Sequence, residues 1–480
     1  MLLRDLDDVR ELFGSLRGTF IGVGVNAYSR IIPAYFKQPY YIIAFRKTRD
    51  LPLLRKRIEV FCIEEEIGHF VRNRGVNSIL ILSHPLTGRF LKDLPDPKYL
   101  LLYQSYPALE ELAKREGWFL LANHSSLRER VSDRGFFLRM VRNLQINGIK
   151  GDIFPIQRIY SHDYPDWAEK IAPKFVVQFP EIRQGGGKGT FFISSKEEYR
   201  MLQETLRGGR WRGIELRRVL IRQFIEGVPA SLALCITRQG LLFSGLQRQL
   251  IDLPHCHHIR SDGIFCGHSW GETSWPSSRE DEATAQARVI GEYLSGLGYK
   301  GIFGIDFLIS DDKTKIYPLE CNPRYTGAFP MLSQLHLLHN VPPMDVFHML
   351  EFLGIPYDID PAYLNSKYRE IPKGSHVILF SHPDRVLGKK PPAPGLYEFD
   401  EDMDTITFLG GASDYCEIRN ERQFIVIDGP PDVGEESLAL GEPFYRLCRI
   451  LFPYPIVDEG ETLSSRAAHV TDWVYEGIFK

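Results

Sequence analysis

Asp306, Glu320, Asn322 and Arg324 are the residues of this chain whose types and spacing could do chemistry. They lie in Gly301 to Gly327, GIFGIDFLISDDKTKIYPLECNPRYTG, where apolar runs from Ile302 to Ile309 and from Lys315 to Cys321 flank the polar turn Ser310 to Thr314. That pattern predicts a β-hairpin. Side chains two apart share a strand face, so a register pairing residues of like parity would gather Asp306, Glu320 and Asn322 on one side. Two carboxylates and an amide carbonyl among Ile, Phe and Leu are costly to bury unless a cation sits between them. Hard oxygen ligands of this kind suit Mg²⁺, which takes one or two carboxylates and completes its shell with water and phosphates. Arg324 would add a fixed charge for phosphate oxygens. The competing reading is a solvated hairpin whose acids serve solubility, which suits a single Asp or Glu better than this set.

A second stretch, Lys174 to Ile193, KFVVQFPEIRQGGGKGTFFI, reads as two apolar strands joined by a glycine-rich loop. Gly185, Gly186 and Gly187, followed by Lys188, Gly189 and Thr190, would let backbone N–H groups approach phosphate, with the lysine supplying charge. It is not a P-loop, because G-x4-G-K-[ST] is absent and a strand rather than a helix follows. Taken alone, such a loop is more often a hairpin tip.

The spacing D-x13-E-x-N-P-R, with the glycine loop about 120 residues before it, resembles the ATP-grasp superfamily, of the carboxylate–amine ligase type and peptide ligase-like. By that resemblance Asp306 binds one Mg²⁺, Glu320 bridges two and Asn322 holds the second, with Mn²⁺ as an alternative ion. Arg324 and Lys188 then act on the transferring phosphoryl group. Gly185 to Thr190 form the mobile phosphate cover. The resemblance also marks a departure, since the family's phosphate-contacting lysine before the loop is Gln178 here, and an earlier family lysine falls near Arg134. Gln178 donates a hydrogen bond but brings no charge. Either Lys188, Arg134 and Arg248 compensate or ATP is held differently. Val219 to Glu226 resembles the strand whose backbone reads adenine, giving Gln223, Phe224 and Ile225 as further contacts. Phe224 has ordinary core packing as its rival role.

These residues need elements to hold them. Apolar runs at Thr19 to Val25, Tyr40 to Phe45, Val60 to Ile63, Ser78 to Leu82 and Tyr99 to Tyr103 alternate with helix-length segments, predicting a parallel βαβ sheet. Gly22, Gly24 and Ala27 match G-x-G-x-x-A, but the acid expected after the second strand is replaced by Arg46 and Lys47, which argues against an NAD site. The glycines then serve a tight turn. The family resemblance points instead to Gly22, Asn26 and Arg30 as residues beside the non-nucleotide substrate. A charged helix is expected over Leu127 to Leu144 and an amphipathic one over Glu282 to Leu297, stopped by Gly298 and backing the hairpin. Phe329 to Leu353 is expected to be helical. Beyond it, Ser375 to Phe380, Thr405 to Leu409 and Gln423 to Asp428 read as strands and Glu442 to Leu451 as a helix.

The expected fold is α/β (α+β). A Rossmann-like domain spans 1–125. An ATP-grasp domain spans 126–360, with its lid over about 172–225 and its metal hairpin over 301–327. A mostly β C-terminal appendix spans 361–480, in which the turn Asp428 to Pro431 would lie beside the acceptor. His255, Cys256, His257, His258, Cys266 and His268 offer a rival zinc reading, though the spacing fits no standard finger. A general-base role for His257 or His268 has no support in the sequence.

With 58 Lys and Arg against 61 Asp and Glu, the net charge of −3 gives no electrostatic case for nucleic acid or an anionic membrane. No apolar run approaches a membrane span, the start MLLRDLDDVRELF is no secretory signal, and seven scattered cysteines do not suggest a disulfide framework. A cytoplasmic protein is expected, and a homodimer is compatible with the sequence. The resemblance implies an ATP-dependent ligase joining a small-molecule acid to an amine through an acyl phosphate, on amino-acid or peptide-like substrates. Biotin-dependent carboxylation is disfavoured by the lack of a Met-Lys-Met acceptor. The alternatives are an ATP-binding regulatory or scaffold protein without turnover, and a zinc- or NAD-binding protein.

Overall fold

A computed structural model describes residues 1–71, 75–182, 189–206, 208–211, 213–259, 263–271, 275–370, 373–382, 385, 391–430, 445–457 and 462–479. Among these residues, three principal sheets of five, four and eleven strands form an α/β architecture. The first is parallel, in the order Glu59–Cys62, Tyr40–Ala44, Thr19–Gly24, Lys98–Leu101, Phe119–Leu121. Its central strand, TFIGVG, is buried at every position, as a parallel strand covered on both faces must be.

One expected strand is a helix. Ser78–Leu82 begins on Asn77, whose side chain accepts hydrogen bonds from the Ile79 and Leu80 N–H groups. A five-residue apolar run has no decisive periodicity, and here the cap settles the conformation. Phe119–Leu121 takes the fifth place in the sheet.

The four-stranded sheet is antiparallel, in the order Gly151–Pro155, Arg218–Gln223, Phe175–Gln178, Thr190–Ile193. The expected hairpin is present, with Gln178 opposite Thr190 and Phe175 opposite Ile193. Gly185, Gly186, Gly187 and Lys188, at its tip, lie outside the described residues. The charged stretch before this sheet is two helices, Ser125–Ser132 and Arg134–Asn143, broken at Asp133. Asp133 has extended backbone and caps the second helix through the Phe136 N–H. Arg134 therefore projects from a helix start.

The largest sheet runs Ile316–Asn322, Gly301–Ser310, Gly227–Thr237, Gln247–Ile251, Phe265–Trp270, Gly374–Phe380, Arg446–Phe452, Gln423–Ile427, Gly395–Asp400, Thr405–Gly410, with Gly240–Phe243 paired to Gly227–Thr237. Residues from 374 onward thus extend the same sheet that carries the hairpin, joined where His268 lies opposite His376. Where a helix is expected over Glu442 to Leu451, of which 442–444 lie outside the described residues, the described part is the strand Arg446–Phe452, buried after its first residue because it is central to the sheet. The helix of this region is Ser465–Ile478.

Ser277–Gly296 is the helix that backs the hairpin, and Gly298 follows it with φ +85°. Phe329–Leu338 and Met344–Leu353 are two helices rather than one; they are apolar on nearly all sides and join the core that also contains Phe20, Ile42 and Tyr40 of the parallel sheet. Among the described residues no helix is long and apolar enough to cross a membrane.

One irregularity in the large sheet matters for the site. Leu250 pairs with Gly267 and Ile251 with Phe265, so Cys266 is an extra residue in its strand. Such a bulge lets Phe265 and His268 turn to the same face. Gly267 has φ +152°, and a Cβ there would stand 1.9 Å from the His376 carbonyl oxygen. Gly267→Ala is expected to lower unfolding stability by about 2 kcal/mol or more, measured by urea denaturation.

Candidate active site

The hairpin register places Asp306 directly opposite Glu320 and Gly304 opposite Asn322, the like-parity pairing that parity alone requires. A register shift after Asp306 sets Pro318 against Phe307. The two carboxylates and the Asn322 amide then share one wall of a cleft of about 870 Å³.

Both Asp306 oxygens are engaged by amides. Gln249 Nε2 donates to Oδ1 and Asn322 Nδ2 to Oδ2, each at 2.9 Å. Burial, together with the facing Glu320 charge, raises the Asp306 carboxyl to about 7. Glu320 shows the opposite balance: burial raises it, but Arg134, Arg222 and Arg324 together hold it below the ordinary carboxylate range. A third of its side-chain surface stays accessible, from within the cleft. Arg134 Nη2 lies 3.3 Å from Glu320 Oε2. Arg324 donates to Asn322 Oδ1 at 3.0 Å and to the Tyr103 hydroxyl, with its guanidinium 5.0 Å from the Tyr103 ring centre.

This donor set fits a hard divalent cation. Two facing carboxylates that disfavour each other's charge, beside an amide oxygen, are what such an ion offsets. Amide and guanidinium donors satisfy those oxygens here. No group of three or more His, Cys, Asp or Glu side chains suited to a metal occurs among the described residues, so the zinc reading of the Cys/His cluster gains nothing. Cys256 and Cys266 are buried in apolar packing, and His268 lines the cleft with Nδ1 3.3 Å from His376 Nε2. Burial lowers His268 to about 3, which leaves it neutral.

The substitution at Gln178 is answered in the structure by a neighbour. Gln178 Nε2 donates to Thr190 Oγ1 at 3.0 Å, and its Oε1 accepts from Arg222 Nη2 at 2.7 Å. Arg222 Nη1 donates to the Leu319 carbonyl at 3.0 Å, beside Glu320. The charge absent from position 178 therefore enters from the paired strand, where Leu220 faces Gln178 and Arg222 faces Val176. Burial and the nearby Arg134 lower Arg222 to about 10, which leaves it cationic at neutral pH. Arg248 does not compensate. It is buried away from the cleft, and its neighbour Gln249 lines it instead, because adjacent strand residues point to opposite faces.

Gln223, Phe224 and Ile225 line the far part of the cleft with Ile149, Val176 and Leu308. Phe224 is a cleft wall rather than core, set edge-on to Phe192 at 5.6 Å. The Gln223 and Phe224 N–H groups donate to the Lys150 and Lys174 carbonyls, which fixes this strand's position. Thr190 lines the cleft, while Gly189 packs on Ile182.

At the first turn, a Cβ on Gly22 would come 2.2 Å from the Tyr40 hydroxyl, so this glycine serves packing. Arg46, where a ribose-binding acid would stand, is paired with buried Glu64. Arg30 is buried against the Val23 and Ser29 carbonyls, with its guanidinium 5.9 Å from the Tyr103 ring. It supports Tyr103 and does not line the cleft. Asn26 reaches Asp428 at 3.5 Å, joining the first sheet to the turn that begins there. Arg222, Gln249, Tyr103 and Arg446 are cleft residues that the sequence did not single out for this role.

Residues 168–328 match the family model of the ATP-grasp domain. This stretch, about a third of the chain, is similar to an ATP-grasp domain. Over 223 residues the chain is 21% identical to the large chain of arginine-specific carbamoyl phosphate synthase from Halalkalibacterium halodurans, covering 45% of this chain and 19% of that protein. Over 152 residues it is 27% identical to formate-dependent phosphoribosylglycinamide formyltransferase from Sulfurovum sp., covering 28% of this chain and 36% of that protein. The matches thus span about a fifth to a third of these curated relatives.

Among solved structures, the biotin carboxylase domain of Hydrogenobacter thermophilus 2-oxoglutarate carboxylase, a dimer in complex with MgADP, ADP and bicarbonate, superposes with a TM-score of 0.58 at 12% identity. It covers 92% of this chain and 87% of its own. Phosphoribosylamine–glycine ligase from Thermotoga maritima gives 0.53 at 14% identity, covering 96% and 98%. At these identities the likeness is one of fold, and it extends over nearly the whole chain.

Arg222→Met is expected to weaken MgATP binding by about 10- to 100-fold, the worth of a charge-assisted contact, and Arg222→Lys to recover part of it. Isothermal titration calorimetry measures both.

Proposed function

We propose that this chain is an ATP-dependent ligase that joins a carboxylate to an amine through an acyl phosphate, releasing ADP and phosphate. The observation that carries this reading is the facing pair Asp306 and Glu320, ringed by Asn322, Arg134, Arg222 and Arg324 in one cleft. A second reading, nucleotide binding without turnover, loses its main support because Arg222 supplies charge beside Gln178.

In this reading ATP lies along the cleft, its base against Gln223, Phe224 and Ile225 and its phosphates toward the hairpin. Asp306, Glu320 and Asn322 would hold Mg²⁺, two ions by the family resemblance. Bound there, the ions screen phosphate charge and fix its geometry. Arg134 and Arg222, which face Glu320, would also be within reach of phosphate oxygens in the cleft. Arg324, beside Asn322 Oδ1, would meet the transferring group. Catalysis then rests on alignment and charge neutralisation, and no nucleophilic side chain is required. The glycine-rich stretch with Lys188 is proposed to cover the phosphates. All seven cysteines are free thiols, in keeping with a cytoplasmic setting.

Stabilisation by saturating MgATP, about 2.7 kcal/mol at 100 times the dissociation constant, is expected in thermal-shift titrations and is lost with EDTA. Phosphate release on adding acid and amine together tests turnover, and none in a screen of acids and amines with MgATP bound would favour the regulatory reading. Glu320→Gln should lower turnover by ~100-fold or more while circular dichroism shows an intact fold; activity that survived it would sink the metal assignment.

A further inference from the structure

The parallel sheet reaches the cleft through a side chain that can do chemistry. Its strand order sends the chain from Thr19–Gly24 toward one edge and from Lys98–Leu101 toward the other. Ligands of open parallel sheets bind outside the carboxyl ends of strands that diverge in this way. Tyr103 stands two residues beyond Lys98–Leu101 and lines the cleft with Asp306, Glu320 and Arg324.

The Tyr103 ring is met by two guanidiniums. Arg30, buried and bonded to the Val23 and Ser29 carbonyls, lies 5.9 Å from its centre, and Arg324 lies 5.0 Å from it. Arg324 spends Nη1 on the Tyr103 hydroxyl and on the Tyr325 carbonyl, the latter at 3.1 Å, and Nη2 donates to Asn322 Oδ1. Among the described residues its Nε–H has no partner, so the fork retains a donor for an anion in the cleft.

The hydroxyl accepts in its bond to Arg324, and its own hydrogen remains to be placed. No acceptor among the described residues takes it. Arg446, which also interacts with this hydroxyl, is a donor as well, and its charge is offset by Asp428 at 3.7 Å. Tyr103 is 39% exposed, so burial does not require the phenol to find a partner. A hydroxyl that accepts from a cation becomes a stronger donor in turn.

Resting on the ligase reading above, we propose that Tyr103 is a catalytic residue that acts with Arg324 as one binding unit for the transferring phosphoryl group. The hydroxyl fixes the guanidinium through Nη1 and gives its own hydrogen to a phosphoryl oxygen. As the substrate carboxylate oxygen bonds to the γ-phosphorus, the bond from that phosphorus to the ADP oxygen breaks. Tyr103 keeps its proton throughout and contributes a hydrogen bond only. Donors fixed in advance around the group in transit serve transfer more than they serve nucleotide binding.

Calorimetric titration of the full-length protein with MgADP, with and without aluminium fluoride as a planar stand-in for that group, tests this without an identified acid. Aluminium fluoride should tighten MgADP binding by about 10-fold or more. Tyr103→Phe keeps the ring beside Arg30 and Arg324; it should lose most of this gain while its affinity for MgADP alone stays unchanged. A gain that survives Tyr103→Phe overturns the proposal. So does a Tyr103→Phe protein with weakened affinity for MgADP alone, the mark of a merely structural role.

If MgADP binds the unaltered protein and aluminium fluoride adds nothing, the proposal falls and the nucleotide site stands. Failure of MgADP to bind overturns the ligase reading beneath it.

Discussion

The interaction on which the site depends is the meeting of two carboxylates in one β-bridge. Opposed residues in an antiparallel pair have Cβ atoms about 5 Å apart, too close for two buried anions to be comfortable without compensation. The structure divides the strain unequally. Asp306 is shielded by amides and its carboxyl is pushed up, whereas Glu320 stays charged because three guanidiniums converge on it. Those guanidiniums come from separate places: a helix start at Arg134, the four-stranded sheet at Arg222 and the turn after the hairpin at Arg324. The pair therefore sets where three parts of the chain must meet.

The large sheet gives that meeting place its extent. It does not stop at the hairpin and its neighbours but continues through the strands from 374 onward. A sheet face is a ruler with steps in both directions, so side chains distant in sequence become a graded surface: carboxylates, amide, imidazole, apolar patch, guanidinium. The bulge at Cys266 is what keeps Phe265 and His268 on that surface together. Asn26 and Arg30 of the first sheet reach it only indirectly, one through Asp428 and the other through Tyr103.

The hairpin was legible because its signal is local. Strand periodicity, a polar turn and parity suffice to place Asp306, Glu320 and Asn322 together, and the strand–loop–strand pattern over Lys174 to Ile193 likewise marks a hairpin, though not its register. What escaped was whatever depends on register between distant strands. Gln178 could be seen to lack a charge, but not that Arg222, 44 positions on, would stand beside it. Charge suggests Arg248 for phosphate, and only the register shows that its neighbour Gln249 is the one that lines the cleft. Ser78–Leu82 and Arg446–Phe452 depart from expectation for a related reason: short apolar runs carry no period, so a cap decides one and a central sheet position the other.

Arg222 also does something a lysine at position 178 could not. Its planar fork donates to Gln178 with one nitrogen and to the Leu319 backbone, in the hairpin, with the other. A single ammonium on a flexible stem offers charge but no fixed pair of directions. Through this one side chain the four-stranded sheet is tied to the strand that carries Glu320. Movement of that sheet toward or away from the hairpin must then stretch or remake the Arg222 bonds, and any anion that draws the guanidinium off Leu319 loosens the link as it binds. The Gln178–Arg222 pair thus places charge in the cleft and ties the four-stranded sheet to the strand that carries Glu320.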